Sequence, residues 1–225
     1  MTSYFQSEEA VNRQPSVELS PAWNNRFQLS CKRVLDVFVS LTALMLLSPL
    51  YCLLALGVKL SSPGPVLYRW HVVGQDAVPF MSYKFRSMVK NADELKKQLW
   101  LQNEMIGPVF KLTKDPRITR VGAWMRRYSL DELPQLYSVL KGDMSLVGPR
   151  PPLGTEYESF TPYQKQKLVV KPGITCLWQV NGRNKVCDFD DWVALDLDYI
   201  RNWSLGLDFK IMLQTVAAAF AGSGK

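Results

Sequence analysis

The chain holds a single histidine, His71, and its four cysteines, Cys31, Cys52, Cys176 and Cys187, form no C-x-x-C pair. A zinc centre is therefore not expected, and thiol chemistry has equally little support. His71 falls in a strand-like stretch and reads as a packed or surface residue. There is no G-x-x-x-x-G-K-[ST] and no G-x-G-x-x-G, so ATP-dependent and dinucleotide chemistry lack their phosphate-binding loops. Internal repeats, coiled-coil heptads and low-complexity linkers are also missing. Residues 1–30 lack the basic start and apolar core of a signal peptide; polar, with Pro15 and Pro21, they read as a flexible arm.

What is present points to one domain, because 225 residues with 47% apolar content suffice for a core and some membrane contact. The net charge of +7 calls for an acidic partner: nucleic acid, anionic lipid or a nucleotide substrate. Val37 to Val58 is an uncharged, leucine-rich run flanked by Lys32, Arg33 and Lys59. Ser48-Pro49 interrupts it, since the proline removes a helical hydrogen bond and the serine can bond back to the preceding turn. Each half, about 11 residues or roughly 16 Å, reaches only about half-way through a ~30 Å hydrocarbon layer. With basic residues at both ends, the segment reads as a re-entrant helix-break-helix over 31–60, a kinked spanning helix being the alternative. Asp36 is expected to anchor Lys32 or Arg33.

The region 61–225 carries the remaining elements. Val66 to Val73 and Val78 to Phe85 form a hairpin around Gly74-Gln75-Asp76-Ala77, the one strong strand signal. Helices are expected over Asn91 to Glu104, over Arg120 to Arg127 with Thr119 as cap, over Leu130 to Lys141 ending at Gly142, over Glu156 to Val169, over Phe189 to Trp203 and over Leu207 to Phe220. The fold class is α+β, mainly helical, with a short β-hairpin. Trp124, Trp192 and Trp203 are candidates for headgroup depth as well as for the core.

The adjacent carboxylates Asp131 and Glu132 lie within Arg126-Arg127-Tyr128-Ser129-Leu130-Asp131-Glu132-Leu133-Pro134, and Pro149-Arg150-Pro151 follows. Ser129 and Glu132 fit a capping box. Pro134, however, loosens the first turn where the acids lie, which a plain cap does not need. Arginines with carboxylates suit phosphate-ester chemistry: the former grip phosphate oxygens, the latter bind a divalent metal or attack phosphorus.

The string from Tyr128 to Pro151 resembles the signature of the bacterial sugar transferases, the monotopic phosphoglycosyl transferases. The resemblance extends to Lys84-Phe85-Arg86-Ser87-Met88, to Asp115-Pro116-Arg117-Ile118-Thr119 and to Lys171 through Arg183-Asn184, and in size the chain is similar to the small exopolysaccharide-initiating members. It implies transfer of a sugar 1-phosphate, glucose or galactose by family, from a UDP-sugar to undecaprenyl phosphate. UMP leaves, Mg²⁺ assists, and Asp131 forms a covalent aspartyl-phosphosugar. Asp131 and Glu132 become the catalytic and metal-binding pair. It further implies a bacterial inner-membrane protein with its catalytic domain, and amphipathic interfacial helices, on the cytoplasmic face. Lys84 and Arg86, alternating on one strand face, and Arg150, restricted by its prolines, are phosphate candidates, and Arg183 is one for the nucleotide end. Val72, Ser87 and Cys176 depart from the usual string, and Val72 puts a phosphate role for the hairpin in doubt.

A metal-dependent glycosyltransferase releasing UDP is the rival, because Asp188-Phe189-Asp190 and Asp196-Leu197-Asp198 match D-x-D. A nucleic-acid binder would use Trp70 and Trp124 beside basic residues, but no recognition motif frames them, so nucleic acid is not an expected partner. Oligomeric state stays open, a homodimer included.

Overall fold

The computed structural model describes residues 17–181 and 186–222. Two helices lead, α1 (Arg26–Leu46) and α2 (Ser48–Ser61), meeting at 64°. The break falls where Pro49 enters the second helix, and Ser48 Oγ donates to the Met45 carbonyl at 2.8 Å. No single described helix is long and apolar enough to cross a membrane, although the bent pair passes that test together. Within the stretch expected as an arm, Pro21–Asn24 form a 3₁₀ turn and α1 already starts at Arg26. Asn25 caps α1 by accepting from Phe27 and Gln28, and Trp23 stacks on Trp203 with ring centres 4.1 Å apart.

The amphipathicity of α1 is inverted. Lys32, Asp36 and Ser40, one turn apart in succession, are its buried residues, while Phe27, Val34, Phe38, Leu41 and Met45 are exposed. Lys32 Nζ donates to Asp208 at 2.5 Å and to the Val147 carbonyl at 3.1 Å. Asp36 hydrogen-bonds neither Lys32 nor Arg33: it accepts from Ser145 Oγ and from the Leu146 backbone N–H, while Lys32 favours its charge electrostatically. Arg33 donates instead to the Val139 and Leu140 carbonyls.

After α2 comes the hairpin, β1 (Leu67–Val73) and β2 (Pro79–Phe85), antiparallel with Trp70 opposite Ser82. Then follow α3 (Ala92–Leu99), shorter than expected because the chain tightens into a 3₁₀ turn at Trp100–Gln102, and α4 (Arg120–Arg127), capped by Thr119 Oγ1 as expected. A 3₁₀ turn at Leu130–Glu132 precedes α5 (Gln135–Lys141). Gly142, at φ 94°, ends α5 in the left-handed region that glycine tolerates.

Sequence reading missed the second sheet. In it β3 (Ser145–Val147) pairs in parallel with β4 (Gly173–Thr175). Between them lie α6 (Gly154–Glu158), α7 (Pro162–Lys165) and a 3₁₀ turn at Gln166–Val169, where one helix was expected. Thr161 and Gln164 form a capping box around Pro162, so a new helix starts there. The chain closes with α8 (Leu177–Val180), α9 (Phe189–Arg201) and α10 (Leu205–Phe220). The main core gathers Val139, Met144, Val147, Trp192, Leu197, Ile200 and Trp203, so Trp192 and Trp203 are core residues and Trp124, half exposed, is not.

Arg86 belongs to this scaffold. It lies one residue beyond β2, buried, and donates to the Ser62 carbonyl at 2.6 Å and the Pro63 carbonyl at 2.9 Å, next to the C-terminal end of α2. That position answers orphan carbonyls and the negative helix end, so the expected phosphate contact is not available to it. Arg86→Met is expected to destabilise the protein by about 2–3 kcal/mol, since buried carbonyls lose a charged donor. Thermal unfolding in detergent would show it, and an unchanged midpoint would contradict the assignment.

Candidate active site

The acidic pair does not open a helix. Ser129 lies at φ 56°, ψ 22°, so it is not in the extended conformation an N-cap requires, and it makes no side-chain cap bond. The capping box that Ser129 and Glu132 fit by spacing is therefore not formed. Leu130–Glu132 winds as a single 3₁₀ turn, and α5 begins only after Pro134. Tyr51 of α2 donates to the Leu133 carbonyl at 2.7 Å, tying this turn to the bent helix pair. Asp131 is buried, 7% exposed, and Glu132 is half-buried beside it.

The turn packs on the hairpin. Lys84 of β2 donates from Nζ to Glu132 Oε1 at 2.8 Å and lies 3.9 Å from the centre of the Trp70 ring. Burial pulls the Lys84 pKa down, Glu132 opposes that, and Arg150 adds to it. Arg126, near the end of α4, interacts electrostatically with Asp131, Asp115 and Glu132, and its Nε donates to Ser87 Oγ at 2.8 Å. Sequence reading did not nominate Arg126. Its only signal was its place one helix end before the acid pair.

Arg150 reaches the same region from a strapped loop. The Pro149 carbonyl accepts from Gly173 N–H, and the Pro152 carbonyl accepts from Val73 N–H, both at 3.0 Å, so the run is fixed on either side of the arginine. Gly148 and Gly173 pass so closely that a Cβ on Gly173 would lie 2.1 Å from Gly148 N. The guanidinium lies 5.5 Å from the Trp70 ring centre and 5.4 Å from that of Trp192. Lys84, Asp131, Glu132 and Arg150 thus come together. Arg183 lies outside the described residues.

The two D-x-D pairs are occupied by scaffold contacts. Asp188 caps α9 and Asp190 accepts from Gln164. Asp196 pairs with Lys167 in full burial, and Asp198 accepts from Asn202. Asp196 and Asp198, two residues apart on α9, do not converge, as helical geometry requires. Among the described residues no group of three or more acidic, histidine or cysteine side chains is placed to hold a metal. Asp131 and Glu132, two adjacent oxygen donors, still fit Mg²⁺, which takes one or two carboxylates and fills its octahedron with substrate oxygens and water.

A family profile described as bacterial sugar transferase matches residues 27–222. The chain belongs to that family. It is 45% identical over 196 residues to the galactosyl transferase CpsE of Streptococcus agalactiae, covering 87% of this chain and 43% of that protein. Against the undecaprenyl-phosphate galactose phosphotransferase of Salmonella typhimurium the identity is 45% over 198 residues, 86% of this chain and 41% of the relative. The exopolysaccharide production protein ExoY of Rhizobium meliloti is 40% identical over 197 residues, covering 86% of this chain and 87% of ExoY. This bacterial sugar transferase thus spans less than half the length of the first two relatives and nearly all of the third.

Proposed function

We propose that this bacterial sugar transferase moves a sugar 1-phosphate from a UDP-sugar to undecaprenyl phosphate and releases UMP. The observation that carries the reading is the convergence of a buried carboxylate, Asp131, with the cations Lys84 and Arg150 on a turn tied to the bent helix pair. A carboxylate nucleophile needs no prior deprotonation. An Asp131 oxygen attacks the β-phosphorus, the bond from that phosphorus to the bridging oxygen breaks, and UMP departs with the bridging oxygen. An oxygen of undecaprenyl phosphate then attacks the same phosphorus, and the aspartyl carboxylate leaves with its electron pair.

Lys84 and Arg150 hold the diphosphate oxygens and offset the charge that builds on them. Asp131 and Glu132 would hold Mg²⁺, which supplies Lewis-acid neutralisation of the phosphate oxygens. Glu132, bonded to Lys84, fixes that cation beside the nucleophile.

The inverted α1 supports a membrane setting for the reaction. Its exposed apolar stripe continues into Leu53, Leu56 and Leu60 of α2, and Phe209, Leu213, Val216 and Phe220 form a similar exposed face on α10. We assign these faces to lipid, with the bent pair re-entrant in the inner membrane, the catalytic domain on the cytoplasmic side, and glucose or galactose as the sugar. The relative named as an undecaprenyl-phosphate galactose phosphotransferase supports galactose.

Product analysis separates this reading from a UDP-releasing glycosyltransferase. Membranes holding the protein, given UDP-glucose or UDP-galactose with undecaprenyl phosphate and Mg²⁺, are expected to release UMP in step with lipid-linked sugar phosphate. Stoichiometric UDP would overturn the proposal.

A further inference from the structure

We propose that Trp70 is a positioning residue whose indole holds the Lys84 ammonium and the Arg150 guanidinium together as one diphosphate subsite. This rests on the transferase reading above. Trp70 is 5% exposed and fixed opposite Ser82 in the hairpin, and Ser82 in turn bonds Ser138 of α5. The ring therefore cannot drift from the acidic turn that α5 continues. Among the described residues it is the one ring within 6 Å of both cations: 3.9 Å to Lys84 and 5.5 Å to Arg150.

Two cations gathered this closely repel, and each is worth more to a phosphate if it stays charged and keeps its donors free. A carboxylate between them would neutralise them and occupy their N–H groups. An aromatic face attracts both through its quadrupole and takes up no oxygen-seeking donor. Among the described residues Glu132 is the one carboxylate in ion-pair contact with Lys84, and none is in such contact with Arg150. The guanidinium is instead flanked by Trp70 and Trp192, which leaves its fork for an anion.

The test compares Trp70→Phe and Trp70→Leu with the unmodified protein in UMP release. For the leucine variant kcat/KM for UDP-sugar is expected to fall about tenfold, and for the phenylalanine variant less than about threefold, since any aromatic face restores part of the attraction. A Trp70→Leu enzyme with the unmodified kcat/KM would overturn the inference, as would a Trp70→Phe enzyme that lost as much as the leucine variant. Should the leucine variant not fold, pyrophosphate binding to Trp70→Phe decides alone: weaker binding than in the unmodified protein supports the inference and equal binding sinks it. If the unmodified protein released no UMP, the transferase reading would fall separately. The subsite would then be judged by pyrophosphate binding, where equal affinity in the unmodified and variant proteins rejects it.

Discussion

Asp131→Asn is expected to lower UMP release by at least about 10³-fold, the scale on which removal of a covalent nucleophile acts. Asparagine keeps the size and one acceptor oxygen, so the buried turn at Leu130–Glu132 and its link to Tyr51 should survive. What is lost is the anion proposed to attack phosphorus. Glu132→Gln is a different experiment. It removes the charge that pairs with Lys84 but leaves the nucleophile in place, so a smaller loss, of about 10- to 100-fold, is expected. If the two variants fell equally and modestly, the division of labour between the adjacent acids would be wrong. UMP release from folded, membrane-embedded protein measures both.

Lys167→Met is expected to cost about 3–5 kcal/mol of stability, because it leaves Asp196 charged and alone in the core. Both side chains are fully buried and form a close ion pair under Phe189 and Trp192. Burial raises the Asp196 pKa from its usual value, with Lys167 and then Arg150 pulling it back. Without Lys167 the folded-state pKa rises further. A carboxyl whose folded pKa exceeds its unfolded one contributes stability at pH below the unfolded value and loses it as pH rises through the folded one. The deficit of Lys167→Met should therefore shrink as pH falls toward about 4, near the usual value for an aspartate carboxyl. Replacing both partners, Lys167→Met with Asp196→Leu, should recover most of the loss, since an apolar pair of similar volume fills the same space. Thermal unfolding across pH checks this; a single variant as stable as the unmodified protein at pH 7 would contradict it.

The parts of the fold legible in the sequence are those decided by neighbours in the chain. Thr119 caps α4, Gly142 ends α5, Ser48 bonds back to Met45, and the hairpin turns at residues 74–77, each through contacts within a few residues. What stayed hidden depends on distant partners. The strands Ser145–Val147 and Gly173–Thr175 are three residues each and carry no period of their own; they are strands only because they meet. The polar stripe of α1 reads as surface until Asp208, Val147 and Ser145 are seen to face it.

The site divides the same way. Asp131, Glu132, Lys84 and Arg150 were nominated from their motif and do converge. Arg86 was nominated by strand alternation, which stops applying because β2 ends at Phe85 and the next side chain turns to the end of α2. Arg126, near the acid pair in the chain, and Trp70, beside a basic residue, were visible in the sequence, but their contacts to Asp131 and to Lys84 depend on partners on other elements.

The most direct measurement is the intact mass of the purified protein after incubation with UDP-sugar and Mg²⁺ in the absence of undecaprenyl phosphate. A single sugar-phosphate adduct, located on Asp131, missing from Asp131→Asn and discharged when the lipid phosphate is added, is the predicted result. Active enzyme that forms lipid-linked product while never carrying the adduct would contradict the covalent role of Asp131.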